Sequence, residues 1–231
     1  MTRLYSHCVP YDDGAAPNPY RGVCTLVICK PAIRRTAQVG DWVAGTGAKY
    51  ARLADGKPKN MSGRLVYAMK ITDKLSMPDY DWLTRSSLPN KIPDLNSRDE
   101  HRKPGDSIYD FSGPSVPQRP GVHKEENAER DLSGRFALFS THFFYFGAAA
   151  IELPGRLLDI AQNRQGHRVG LNDKHVGAFV RWVEGMGHTL RSVRGEPLLD
   201  IFANDTCSRW CAASRAEADE DDAEDVSTGC P

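Results

Sequence analysis

Apolar residues come in short runs along this chain, and the runs predict strands more often than helices. Leu4-Tyr5-Ser6-His7-Cys8-Val9 alternates and reads as a first strand. Thr25–Cys29 is an apolar run, followed by Lys30-Pro31 and a short helix-like piece, Ala32–Ala37. Pro31 suits a first helical turn, where its missing N–H would go unpaired anyway. A Gly40-Asp41 turn then enters a second apolar run, Trp42-Val43-Ala44, which ends in Gly45-Thr46-Gly47. Leu65–Ile71 is the strongest strand of the chain, and Leu75–Leu83 reads as a strand end running into a short helix. Phe136–Gly147 is strand-like and rich in aromatics. Alternation there puts His142, Phe144 and Phe146 on one face and Phe143 and Tyr145 on the other.

The pattern turns helical beyond Pro154. Gly155–Gln162 predicts a short helix, and Asn172 or Asp173 can cap a second one running to about Glu184. Val176, Phe179, Val180 and Val183 give that helix one apolar face. Leu198–Phe202 is a last apolar segment. Between the strands lie polar connections. Asp12–Gly22 is a loop stiffened by Pro17 and Pro19, and residues 48–63 form another. Thr84–Leu132 is poor in apolar residues, with Gly105–Phe111 as its one ordered island. So long a stretch is either a functional covering loop or partly disordered. The order of elements is not the regular alternation of a doubly wound sheet. It predicts an α+β fold: a small mixed, partly closed β-barrel with peripheral helices and a long covering loop. Residues 1–203 read as one domain and 204–231 as an acidic, disordered tail.

Composition sharpens this only in places. An apolar fraction of 40% suffices for a core, and no run of 18 apolar residues exists, so no membrane span is expected. The first residues lack the apolar stretch and small-residue cleavage site of a secretory signal, which makes the cytoplasm the expected location. The net charge of zero hides an asymmetry. Residues 216–225 hold seven of the 30 acids and no base, so the remaining 23 acids face 30 bases. A mildly basic body permits a phosphate-bearing ligand. Six cysteines are too few for a disulfide scaffold. Cys24 and Cys29 read as buried thiols beside a core strand. Cys207 and Cys211 form a single CxxxC, which lacks the second pair of a zinc ribbon. A site borrowing His7, Cys8 or His188 is conceivable, but unmetallated thiols are the expectation, with no metal.

Several long motifs carry a resemblance. Residues 16–47, APNPYRGVCTLVICKPAIRRTAQVGDWVAGTG, stand with 63–80, GRLVYAMKITDKLSMPDY. GDSIYDF (105–111), STHFFYFG (140–147) and QGHR (165–168) complete the set. Together they resemble the family called nucleotide modification associated domain 2, over roughly residues 3–195. The Gly-Asp turn into a strand, and the strand leaving into a helix through Thr72–Tyr80, resemble in layout the PUA-like superfamily of EVE, YTH and ASCH domains. The first resemblance implies a role in bacterial or phage DNA base hypermodification. It brings no established reaction or cofactor.

There is no Walker loop, no dinucleotide glycine fingerprint and no HExxH. Candidates come instead from the motifs. Asn18 and Arg21, in the stiff loop, can hydrogen-bond a base edge or phosphate, or simply pack the loop. Lys30 and Arg34 flank the start of the helical turn, where an anion is favoured or the charge is merely solvated. Asp41 closes its turn. Trp42 is a core residue or, in a PUA-like barrel mouth, a base-stacking platform worth about 1–3 kcal/mol. Thr46 lies in a Gly-Thr-Gly too short for a phosphate loop. Tyr145 belongs to an aromatic set that forms core or a stacking wall. His167 and Arg168 pair a titratable imidazole with a fixed cation. His123, Asn127 and Asp131 recur every four residues and share a face if helical. The leading expectation is a domain binding or processing a modified nucleotide, base or DNA in a pocket at the barrel mouth. An enzyme using His123, Asp131, His142 or His167 as acid–base groups is the rival, and a protein-interaction module without nucleotide ligand is the third. No membrane partner is expected.

Overall fold

The computed structural model describes residues 1–53, 57–162 and 166–199. The predicted tail from 204, with Cys207, Cys211 and the acidic run, lies outside the described residues, as do residues 200–202 of the last apolar segment. The chain opens with β1 (Leu4–Val9), β2 (Cys24–Leu26), α1 (Pro31–Thr36) and β3 (Trp42–Gly47). Two short strands, β4 (Ala51–Arg52) and β5 (Pro58–Lys59), pair with each other. Next come β6 (Arg64–Lys70), β7 (Asp73–Ser76) and α2 (Met77–Ser86). The covering segment leads to α3 (Ala128–Ser133), then to β8 (Phe136–Ser140) and β9 (His142–Tyr145). β10 (Ile151–Glu152), β11 (His167–Arg168), α4 (Val176–Gly185) and β12 (Ser192–Val193) complete the set.

The fold is mixed α+β, mostly sheet with few helices, and the described residues form no closed barrel. The large sheet runs β11-β1-β3-β6-β9-β12, an open path, with β10 added to β6. The partial barrel expected from strand order is replaced by a bend. Lys70 of β6 pairs with His142 of β9, and three residues further Asp73 of β7 pairs with Phe139 of β8. The register therefore runs unbroken from β6–β9 into β7–β8. One long antiparallel pair folds over at residues 71–72 and 140–141 and joins a second sheet, β2-β8-β7. The chain covers the large sheet with the small one instead of closing its edges.

Alternation then assigns each face. Tyr5, Val43, Tyr67, Met69, Phe143 and Tyr145 pack against Cys24, Leu26 and Leu138 of the small sheet. Their sequence neighbours Leu4, Trp42, Ala44, Ala68 and Phe144 pack on the opposite face with Leu157, Phe179 and Val183. Both faces of the aromatic strand are thus core. α4 supplies the predicted apolar face through Phe179 and Val183. Asn172 does not cap it. A 3-10 turn at Gly170–His175 precedes the helix, and the Asn172 amide donates to Leu4 O at 3.1 Å and Ser6 Oγ at 2.9 Å. Gly155–Ile160 is likewise a 3-10 turn. Asp41 closes its turn as expected, accepting the N–H groups of Arg3 and Gln38 at 2.8 and 2.9 Å.

The covering segment is ordered. Ile108, Tyr109 and Val122 are buried with Met77, Tyr80 and Ala137 over the outer face of the small sheet. Its anchor is Lys91, buried and donating to Asn18 O, Asn18 Oδ1 and Val23 O at 2.9, 2.7 and 3.0 Å. A chain poor in apolar residues is held by buried polar bonds, because each buried backbone carbonyl needs a donor.

Asp12 is also buried, and its carboxyl accepts the Tyr145 hydroxyl at 2.6 Å. Burial pushes it up to about 7, against the lowering effect of that bond. A raised value stabilises the fold fully below the unfolded carboxylate value of about 3.9 and loses that contribution as pH rises through the folded one. Asp12→Asn keeps an acceptor for Tyr145 without the charge. Its melting temperature should exceed that of the wild type at pH ~8, with the gap closing towards pH ~4; a gap independent of pH would refute this account.

Candidate active site

The centre begins at the end of β2. Val27 and Ile28 turn into the outer apolar cluster, so the strand stops short of the predicted Cys29. Cys29 and Lys30 then take positive φ values of 59° and 43°. Two consecutive left-handed residues that are not glycine cost about 1–3 kcal/mol each and persist only where surroundings impose them. Lys30 also precedes Pro31, which disfavours a right-handed helical conformation there. The surroundings are explicit. The Cys29 N–H donates to Asp131 Oδ1 at 2.8 Å, and its carbonyl accepts Arg34 Nε at 2.8 Å. The backbone of Cys29 is pinned on both sides.

Its side chain meets a histidine. Cys29 Sγ lies 3.3 Å from His123 Nε2, and His123 Nδ1 lies 2.5 Å from Asp131 Oδ2. The Tyr109 hydroxyl donates to the same Asp131 oxygen at 2.9 Å. Gln118 Nε2 donates to the His123 carbonyl at 2.6 Å. Thiol, imidazole and carboxylate form one chain, with the carboxylate buried and the imidazole side chain 20% exposed. Cys29 itself is only partly buried.

Arg34 lies beneath this chain, fully buried. It donates to the carbonyls of Cys29 and Phe136, at 2.8 and 3.1 Å, and to that of Asp131. Gly134 exists to admit it, since a Cβ there would stand 2.2 Å from Arg34 Cζ. Burial pulls the guanidinium down to about 10, against the pull of Asp131, so it stays charged at neutral pH. Burial would raise Asp131, yet His123, Arg34 and the Cys29 N–H hold it below the usual carboxylate range. Burial would lower His123, but Cys29 and Asp131 outweigh it and lift the imidazole well above its ordinary value. Burial and Asp131 push Tyr109 up, so its hydroxyl keeps its proton and donates. At neutral pH His123 is an imidazolium with one N–H on Asp131 and the other directed at sulfur.

Of the residues singled out from sequence, the structure brings together Arg34, His123 and Asp131, with Lys30 next to Cys29 in the turn. His123 and Asp131 do not share a helix. A 3-10 turn at Glu125–Asn127 separates them, and the Asn127 amide oxygen accepts the Lys124 N–H at 3.1 Å. The others lie elsewhere. Asn18 is buried at Lys91 and donates to Pro104 O at 2.9 Å. Arg21 forms an ion pair with Asp99. Trp42 is core, edge-on to His142 and Phe179 at 5.2 and 5.8 Å. His142 faces Glu184 at 3.2 Å. Thr46 is buried, donating to His7 O at 3.2 Å. Tyr145 is buried on Asp12. His167 stacks on Tyr5 at 6.3 Å, and Arg168 bonds the Asp159 carbonyl. Sequence reasoning missed Cys29, read as a buried thiol, and Tyr109. Two signals pointed to them: Cys-Lys-Pro between a strand and a helix, the context in which nucleophiles are presented, and the GDSIYDF motif. Among the described residues no set of three or more His, Cys, Asp or Glu is placed to hold a metal ion, and no helix is long and apolar enough to cross a membrane.

Fold and centre define an α+β protein with a thiol–imidazole–carboxylate cluster beneath a long covering segment. The family model described as nucleotide modification associated domain 2 matches residues 1–204, and the chain belongs to that family. No curated protein and no solved structure matches it.

Two outcomes follow from this geometry. Gly134→Ala should cost about 1–3 kcal/mol by overpacking against a guanidinium that its bonds hold in place. The cost should largely vanish in an Arg34→Met background; chemical denaturation of the four proteins tests that coupling, and additive losses would contradict it. Asp131 contributes stability above the unfolded carboxylate value of about 3.9 and loses it as pH falls through its lower folded value. His123 contributes below about 6.5 and loses it as pH rises through its higher folded value. The deficit of Asp131→Asn against wild type should therefore peak between about pH 4 and 6.5, as thermal melts across pH will reveal.

Proposed function

We propose that this protein is an enzyme acting on a nucleotide or base within a bacterial or phage DNA base hypermodification system, in the cytoplasm where those substrates reside. The cluster of Cys29, His123 and Asp131 is its centre. The observation that carries this reading is the bond of 2.5 Å between His123 and Asp131 beside the sulfur of Cys29. A buried carboxylate holds the imidazole in one orientation, and a partly exposed ring can exchange a proton with a bound substrate. Tyr109 and Arg34 keep that carboxylate in place. Family membership supplies the substrate class.

Lys30, next to Cys29 in the turn, is the candidate phosphate contact of this centre, whereas Arg21, paired with Asp99, and His167 and Arg168, on β11, stand apart from it. Asn18, Trp42, Thr46 and Tyr145, all buried, serve the frame that holds the centre. A PUA-like reading of the large sheet, with its parallel β1–β3 pair, belongs to the same proposal.

The test offers deoxynucleosides, deoxynucleoside monophosphates and duplex DNA carrying modified pyrimidines to the purified full chain, with products followed by mass spectrometry. Turnover should fall on the order of a hundredfold or more in His123→Gln. Binding without any product would replace the enzyme with a reader of modified bases, and turnover indifferent to His123 would take the chemistry away from this centre.

A further inference from the structure

We propose that Cys29 is a covalent nucleophile that takes an acyl group from its substrate and carries it as a thioester. This rests on the reading of the centre as enzymatic and names the step it performs. Geometry separates Cys29 from the buried thiol beside it in sequence. Cys24 is fully buried against Met69 Sδ at 3.9 Å, and burial pushes its thiol up to about 12. Cys29 is partly exposed, 3.3 Å from an imidazole whose far nitrogen is fixed on a carboxylate. That arrangement is the nucleophile, base and orienting group of covalent catalysis. The left-handed turn lifts Cys29 off the end of the strand, and both of its backbone polar groups are occupied in holding it there.

The same contacts narrow the electrophile. Arg34 gives its N–H groups to three main-chain carbonyls and a thioether, so it offers no clamp to a transferring phosphoryl group. The imidazolium proton next to sulfur suits a carbon whose leaving group must be protonated, as in an amide or ester. The step balances without redox chemistry. Cys29 Sγ attacks the carbonyl carbon with the proton it shares with the imidazole on His123 Nε2, the S–C bond forms and the C–N or C–O bond breaks. The proton on His123 Nε2 passes to the departing nitrogen or oxygen. Neutral His123 then takes a proton from water, or from an amine such as that of a base, as it attacks the thioester. The thiolate leaves and the imidazolium is restored. Water makes the reaction a hydrolysis, an amine makes it an acyl transfer.

The probe is p-nitrophenyl acetate with the purified full chain at neutral pH. A burst of nitrophenolate stoichiometric with protein is expected, with acetyl mapped to Cys29 by peptide mass spectrometry and released by hydroxylamine. Cys29→Ala should remove that acetyl, and His123→Gln should slow the burst on the order of a hundredfold or more, with both variants still giving a cooperative thermal unfolding transition. If either fails to fold, competition between the probe and iodoacetamide for Cys29 in the wild type decides the same question. Acetyl found only on lysines or other cysteines would overturn the proposal. So would rapid, selective alkylation of Cys29 by iodoacetamide with no acetylation, which leaves a reactive centre but not an acyl carrier. Turnover of nucleotide substrates that survives Cys29→Ala but not His123→Gln would overturn it while sparing the enzymatic reading.

Discussion

A buried carboxylate and a buried guanidinium organise the centre. Asp131 accepts bonds from His123, Tyr109 and the main chain of Cys29. Arg34 bonds the main chain of Cys29, Asp131 and Phe136. The segments at residues 29–34, 109 and 123–136 are tied by two side chains. Removing one partner of such a pair strands the other in a medium where an uncompensated charge costs several kcal/mol. The same bonds hold the left-handed turn at Cys29 and Lys30, so the strain of that turn and the burial of the pair are parts of one arrangement. Gly134 is the steric condition for both.

The two sheets place this arrangement. The bent pair of β6–β7 and β8–β9 forces the small sheet onto the large one, and both faces of the large sheet are then packed. The outer face of the small sheet is left for the covering segment, whose buried apolar residues Ile108, Tyr109 and Val122 lie there. Tyr109, His123 and Asp131 come from that segment and its C-terminal helix, whereas Cys29 and Arg34 come from the turn and helix that follow β2. The centre is the seam between the sheet and its cover. Lys91, bonded to the carbonyls of Asn18 and Val23, pins the cover at a second point and gives the stiff loop around Asn18 a structural task.

Much of the framework was legible. Alternation in Leu4–Val9 and the apolar run Leu65–Ile71 named strands, and alternation in His142–Phe146 also divided the faces correctly, because a strand buried on both sides still alternates in which layer each side chain meets. The long motifs named the family. The closing of the sheet was not legible, since a bend in a continuous antiparallel pair leaves the same strand order as a barrel corner. The centre was half legible. His123, Asp131 and Arg34 drew notice as charged residues in polar surroundings, but their spacing suggested a helix that a 3-10 turn interrupts. Cys29 was hidden because a thiol at the end of an apolar run resembles any core cysteine until its exposure and neighbours are known.

The sequence by itself determined where the main strands lie, how the faces of His142–Phe146 divide, and to which family the chain belongs. These depend on local periodicity and on long motifs, both of which are written along the chain. Only the tertiary structure decided that Cys29, His123 and Asp131 meet. The separation of 94 positions between Cys29 and His123 carries no local signal of that contact. It follows from the fold of the sheet, the course of the covering segment and a buried guanidinium that fixes the distance between them.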